Sequence, residues 1–179
     1  MRSRWAVVLA LITLVTASMA TTVIPMSVED LTRAATTIVE AKAIASWSQW
    51  NPQHTMIVTF TRFTVVKTLK GTVPAEIIVK QPGGIVGNDG QKVPGVRQFQ
   101  AGETALLYLQ RSGDNDGTHV ITGLIQGNFR IYKTATGVTA ASNGMPGVSA
   151  LRAGGFTEYH GTNMRLEDME LRVQRALTQ

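Results

Sequence analysis

No cysteine occurs in the 179 residues. That absence excludes a disulfide scaffold, a thiolate zinc site and a cysteine nucleophile. No His-Glu-x-x-His run and no Gly-x-Ser-x-Gly elbow is present, so the zincin and serine-hydrolase signatures are missing as well. The formal charge is +5, but no dense basic run accompanies it. Arg62, Lys67, Lys70, Lys80, Lys92, Arg97, Arg111, Arg130 and Lys133 are scattered, which suits solvated strand faces better than a nucleic-acid surface. No tandem repeat and no low-complexity tract occurs.

Nor is any apolar run long enough to cross a bilayer, which takes about 20 residues. The longest, Trp5 to Thr16, is about a dozen residues, the length of a signal-peptide core. Met1-Arg2-Ser3-Arg4 gives it a positive flank, and Ser18 and Ala20 place small residues for cleavage after Ala20. The expectation is a signal peptide over 1–20 and an exported protein, periplasmic or secreted, with no integral membrane span after cleavage. A retained membrane anchor is the alternative. Loss of Arg2 and Arg4 leaves a charge of about +3, a modest excess. The remaining roughly 160 residues are the size of one domain, able to fold on a core without staples.

What is there is mostly strand. Residues 55–132 read as successive strands separated by Gly, Pro and Asn-Asp-Gly turns, which predicts a mainly β fold, a small antiparallel barrel or sandwich spanning 21–142. Ser27-Val28-Glu29-Asp30 has the form of a capping box and predicts a short helix over 28–35. A strand follows over 37–45, then a turn flanked by Trp47 and Trp50 and ending at Asn51-Pro52. The segment 55–69 is too long for an ordinary strand. Its apolar parity also changes, from Met56, Val58 and Phe60 to Phe63 and Val65. A bulge near Thr61-Arg62 would bring both sets to one core; two short strands are the alternative. Ala105 to Leu109 is almost continuously apolar, as in a strand buried on both faces. The Gly-rich stretch 143–162 reads as a linker or surface loop. A closing amphipathic helix over 163–179 carries Leu166, Met169, Val173, Ala176 and Leu177 on one stripe, with Asn163 as its cap.

Leu69-Lys70-Gly71, Pro82-Gly83-Gly84 with Gly87, Pro94-Gly95, Phe99 with Gly102-Glu103, Leu106-Leu107-Tyr108-Leu109, and Gly123 with Gly127-Asn128-Phe129 occur together. As a set, over about residues 31–132, they resemble a group of small, exported, functionally uncharacterised bacterial proteins. The resemblance implies an exported barrel of the oligonucleotide/oligosaccharide-binding type and supplies no catalytic residues. The general shape also looks like the inhibitor domain of tissue metalloproteinase inhibitors. There an N-terminal cysteine blocks the zinc, a mechanism that a cysteine-free chain cannot share.

Candidate chemistry is thin. His54, His119 and His160 have no helical metal spacing, and Glu158 with His160 makes only two ligands. Asp114-Asn115-Asp116-Gly117 has calcium-loop character with Ser112 as first ligand. Its twelfth position is Gly123 where a glutamate is needed, so a hairpin turn is the better reading. Gly83, Gly84 and Gly87 are followed by no helix and make a tight structural loop with Gly102, not a phosphate cradle. The sequence thus implies no metal site, no cofactor and no assigned catalytic residue. Trp47, Trp50, Phe99 and Arg97 are the candidate recognition residues for a protein, peptide or glycan, and the two tryptophans plugging a barrel end is the alternative. A hydrolase site drawing on Glu103, His54 or His119, or a structural envelope role through the last helix, are the competing functions.

Overall fold

The computed structural model describes residues 21–144 and 148–179; the leader expected over 1–20 lies outside them. In chain order come β1 (Thr21–Val23), α1 (Val28–Ala34), β2 (Thr37–Trp50), β3 (Ile57–Lys70) and β4 (Glu76–Pro82). A small hairpin, β5 (Gly84–Val86) and β6 (Asp89–Gln91), precedes β7 (Thr104–Arg111), β8 (His119–Ile121) and β9 (Asn128–Lys133). The chain ends with β10 (Thr139–Ser142), β11 (Val148–Arg152), β12 (Gly155–Glu158), β13 (Asn163–Arg165) and α2 (Leu166–Leu177). Strands make up 49% of the structure, so the fold is mainly β.

Five strands close into a barrel in the order β2-β3-β4-β8-β7 and back to β2. A ring with an odd number of strands cannot alternate direction throughout. One seam is therefore parallel, with β4 meeting β8 at Val79 and His119. The other seams are antiparallel, as expected. On one edge β7 is shared: Leu109 to Arg111 pair with β8, and Ala105 to Leu107 pair with β9. The changeover falls at Tyr108, whose carbonyl takes the Thr122 N–H and whose N–H goes to Gly127. From β9 the sheet runs on through β10 to β13.

The continuous apolar run of β7 does serve two cores. Ala105, Leu107 and Leu109 point into the barrel with Val39, Phe63, Ile77 and Val79. Leu106 and Tyr108 face the opposite way, under the helices, with Leu31, Phe129, Met169 and Val173. Full burial of Met169 and Val173 is worth about 1.5–3 kcal/mol each. The capping box forms as read: the Asp30 N–H donates to Ser27 Oγ at 3.0 Å and the Ser27 N–H donates to Asp30 Oδ2 at 3.1 Å. Such a cap contributes about 1 kcal/mol. Glu29 pairs with Arg172, 2.5 Å apart, and ties α1 to α2.

Three expectations are corrected. The bulge opposite Arg62 and Phe63 lies on the partner strand. Ala43 faces Phe63 and Ala45 faces Arg62, so Ile44 is the extra residue. β3 therefore keeps one parity from Ile57 to Phe63, with Ile57, Thr59, Thr61 and Phe63 inward and Val58 and Phe60 outward. The inward threonines are tolerated because their hydroxyls pair with Ser46 (2.9 Å) and Ser48 (2.8 Å). Second, the stretch expected as a linker or surface loop contains two strands between residues 148 and 158. β11 pairs in parallel with β1 and antiparallel with β12, and Val148, Ala150 and Tyr159 bury against Val23 and Ile125. Third, α2 starts at Leu166 with Arg165 as its cap residue, and Asn163 sits in β13, accepting the Tyr132 hydroxyl at 3.0 Å.

Candidate functional site

The outward face of β3 and β4 forms the floor of an open groove of about 660 Å3. Val58 and Phe60 come from β3, Lys80 and Pro82 from β4, and Val120 from β8. Period-2 alternation puts these side chains outside because Ile57, Thr59, Ile77 and Val79 occupy the inside. One wall is the β2–β3 hairpin tip, with Gln49, Trp50, Gln53 and Met56. The opposite wall is the β7–β8 turn, with Asp114 and Asp116.

Both walls are braced. Asn51 Oδ1 accepts the N–H groups of Thr55 and Met56 at 2.8 and 3.1 Å, and its amide donates to Thr55 Oγ1 at 2.9 Å. This clasp holds the tip so that the His54 ring lies over Trp50, with centroids 5.9 Å apart and planes 19° apart. Phe60 is backed by its cross-strand neighbour Trp47 at 5.7 Å and 13°. On the far wall Asp116 Oδ1 accepts from the Thr118 N–H (3.0 Å) and hydroxyl (2.6 Å). Lys80 reaches up from the floor to both Asp114 and Asp116. The Thr118 hydroxyl, with the Thr118 amide and Lys80 behind it, brings the Asp116 carboxyl down to about 2. Burial opposes the charge on Lys80, but the two aspartates outweigh it and hold its pKa above the usual value. With one lysine against two aspartates, the lining carries one net negative charge.

The sequence candidates do not assemble as one surface. Trp50 lines the groove, and Trp47, 42% exposed, stands beside it. Neither tryptophan belongs to the barrel-interior cluster. Phe99 is a correction: it is only 5% exposed and packs edge-on against Phe63 inside the barrel, with centroids 4.8 Å apart. A ring that large completes the interior where the crossover loop closes the barrel end. Arg97 sits over the Phe99 ring at 5.1 Å, pairs with Glu103 and donates to Asn128 Oδ1 at 3.1 Å. It lines a separate hollow with Arg130, Tyr132 and Asn143. Gly83, Gly84, Gly87 and Gly102 all have positive φ, in keeping with a structural loop. The need is clearest at Gly84 (φ +138°), where a Cβ would lie 2.3 Å from Thr59 Oγ1 and 2.4 Å from Ser48 Oγ.

The residues named for the competing hydrolase reading, Glu103, His54 and His119, are likewise dispersed. Glu103 stands at the start of β7, held by Arg97 and Arg130. His119 pairs with Arg111 at the other end of that strand, roughly 26 Å of extended chain away. Burial lowers its pKa. His54 is on the hairpin tip. Among the described residues no three His, Asp or Glu side chains gather as metal ligands.

Sequence reasoning missed Phe60, Val58 and Met56 as site residues because their alternation looked like a core face. It also missed Lys80, which is separated from its aspartates by more than thirty residues. The signal was present in the parity conflict along β3: one apolar set had to face outward. The groove lies across the second and third barrel strands, between the first–second and fourth–fifth connections. No protein-family model matches the chain, and no curated protein matches it.

Proposed function

We propose that this chain is an exported, noncatalytic binding domain that seats its ligand in the groove across β3 and β4. The observation that carries the reading is an open groove lined by two supported aromatic residues, Trp50 and Phe60, and by the acidic β7–β8 turn. Aromatic side chains held by neighbours lose little freedom on binding, which favours recognition. Export is supported by the leader-like run at 5–16 and by the small residues before Thr21. The resemblance to small exported bacterial proteins points the same way. Met169 and Val173 are spent on the chain's own core, which argues against α2 as an assembly stripe.

The test is capture from envelope and culture fractions by immobilised protein, compared with Trp50→Ala and Phe60→Ala. Both variants should lose the captured species at least tenfold while their circular dichroism melts stay within a few degrees of the parent. Capture that survives both substitutions would remove the groove from the function. N-terminal sequencing of the protein recovered from the cell should begin at Thr21; a chain that keeps Trp5 would refute processed export.

A further inference from the structure

We infer that the hollow beside Arg97 is a second binding site, one that takes a small organic acid by its carboxylate. It stands apart from the groove, since β7 and β2 lie between β9 and β3 in the sheet. Its floor is the part of the sheet that runs on past the ring. Ala105 and Leu107 point into the barrel, and their partners on β9 are Arg130 and Asn128. Tyr132 follows at the same parity, so three polar side chains share one face of β9. Phe129 and Ile131 take the other face, under the helices. Ser142 of β10 pairs with Arg130 and widens the floor. Arg97 closes the space from the crossover loop, and its volume of about 400 Å3 suits a small molecule.

Charge decides what fits there. Arg97 and Arg130 both turn to Oε1 of Glu103, the Arg130 Nε at 3.1 Å. Glu103 Oε2 takes the Gln100 N–H at 3.1 Å. That carboxylate is fully engaged, and none lines the hollow itself. Two guanidinium groups against one carboxylate leave one positive charge, the reverse of the groove, where two aspartates outnumber Lys80.

Donors are in surplus as well. Asn128 is only 2% exposed and accepts from Arg97 at 3.1 Å, yet its amide nitrogen meets no acceptor among the described residues. The terminal nitrogens of Arg130 and the hydroxyl of Ser142 are unmatched in the same sense. A donor held at such low exposure calls for a partner, and the hollow is where one can enter.

A carboxylate answers both surpluses. Its single negative charge cancels the single positive one, and its two oxygens match the parallel N–H groups of a guanidinium. Its further lone pairs suit the Asn128 amide and the Ser142 hydroxyl. A phosphate dianion would bring one charge too many. Ile125 and the Tyr132 ring supply apolar wall for the body of the acid. Arg130 is 61% exposed, so salt should weaken the contact.

The experiment follows the amide NMR spectrum of the purified protein during titration with benzoate, butyrate, benzamide, butyramide and inorganic phosphate. At least one of the two acids should shift Asn128, Arg130 and Ser142 with a Kd below about 10 mM, and its amide should not. Arg130→Gln should weaken the acid by about tenfold. Ser142→Ala, which leaves the contacts of Glu103 alone, should weaken it by about threefold and guards against a loss caused by misfolding. Lys92→Gln removes the same charge from an exposed loop position and should leave the Kd unchanged. Silence of these resonances toward both acids, an equal response to the amides, or shifts that survive Arg130→Gln would overturn the site. Phosphate binding there in place of both acids would overturn the carboxylate assignment. None of these outcomes bears on capture by the groove.

Discussion

Gly84 and Phe99 show how single residues divide structural from recognition duty. At Gly84 the backbone conformation is one that L side chains rarely adopt, and the space for a Cβ is filled by Thr59 and Ser48 hydroxyls. Gly84→Val should therefore cost about 2–4 kcal/mol, combining backbone strain with overpacking. Gly87 also has positive φ but nothing within 4 Å of its Cβ position, so Gly87→Ala should cost only about 1 kcal/mol. Urea denaturation of the two variants checks the ordering; equal losses would mean that crowding is irrelevant. Phe99→Ala should cost about 3–5 kcal/mol, because it empties a site packed on Phe63. It should leave groove titrations unchanged, whereas Phe60→Ala should do the reverse. The sequence marked both as aromatic and could not rank them. Burial is decided by which turn of the loop reaches the barrel, and no local pattern encodes that.

Between elements, the telling cluster is Glu40 of β2, Lys67 of β3 and Glu170 of α2. Lys67 donates to both Glu170 oxygens at 2.7 and 2.8 Å and lies 4.0 Å from Glu40. Burial first, and then the neighbouring Glu170 carboxylate, push Glu40 up to about 7 from 4.5. Folded Glu40 thus holds its proton more tightly than the unfolded chain does. Its stabilising share is complete below pH about 4.5 and is lost as pH rises through about 7. Glu170 is shifted the other way by Glu40 and Lys67, and its share is lost only as pH falls below the ordinary carboxylate range. Stability, and the melting temperature with it, should therefore fall between pH 5 and pH 8. Glu40→Gln should flatten that slope and be the more stable protein at pH 8; a slope that persists in the variant would locate the titration elsewhere. Many elements were legible in the sequence. The capping box of α1, the alternation of β4 and β9 and the apolar run of β7 are local patterns, and each formed. The bulge in β2 and the strands β11 and β12 were not legible, and the parity conflict along β3 did not say which apolar set faces outward. Each depends on a partner distant in sequence: Phe63 across the ladder, β1 at the far end of the chain, and a groove whose lining imitates a core.

Across the whole molecule, the division into barrel, linker and helix gives way to shared cores. α2 buries Met169 and Val173 against Leu106, Tyr108 and Phe129, which belong to the barrel strand β7 and its neighbour β9. Arg172 of α2 holds Glu29 of α1, and Lys67 of the barrel holds Glu170. A helix so bound is not an appendage. Removing it uncovers the outer face of β7 and forfeits about 3–6 kcal/mol of side-chain burial, set against a total stability of about 5–15 kcal/mol for a domain. The intact chain should melt in one transition, coincident by far-ultraviolet ellipticity and by tryptophan fluorescence. A chain stopped after Arg165 should lose that cooperative transition at 37 °C or melt many degrees lower, and should bind a dye for exposed apolar surface. Groove binding should fail with it even though no groove residue has been removed, because β3 and β4 are held in the ring through β2 and β7. If the shortened chain instead kept the parent's melting temperature and still titrated its ligand, the barrel would be self-sufficient and the shared core under α2 energetically idle.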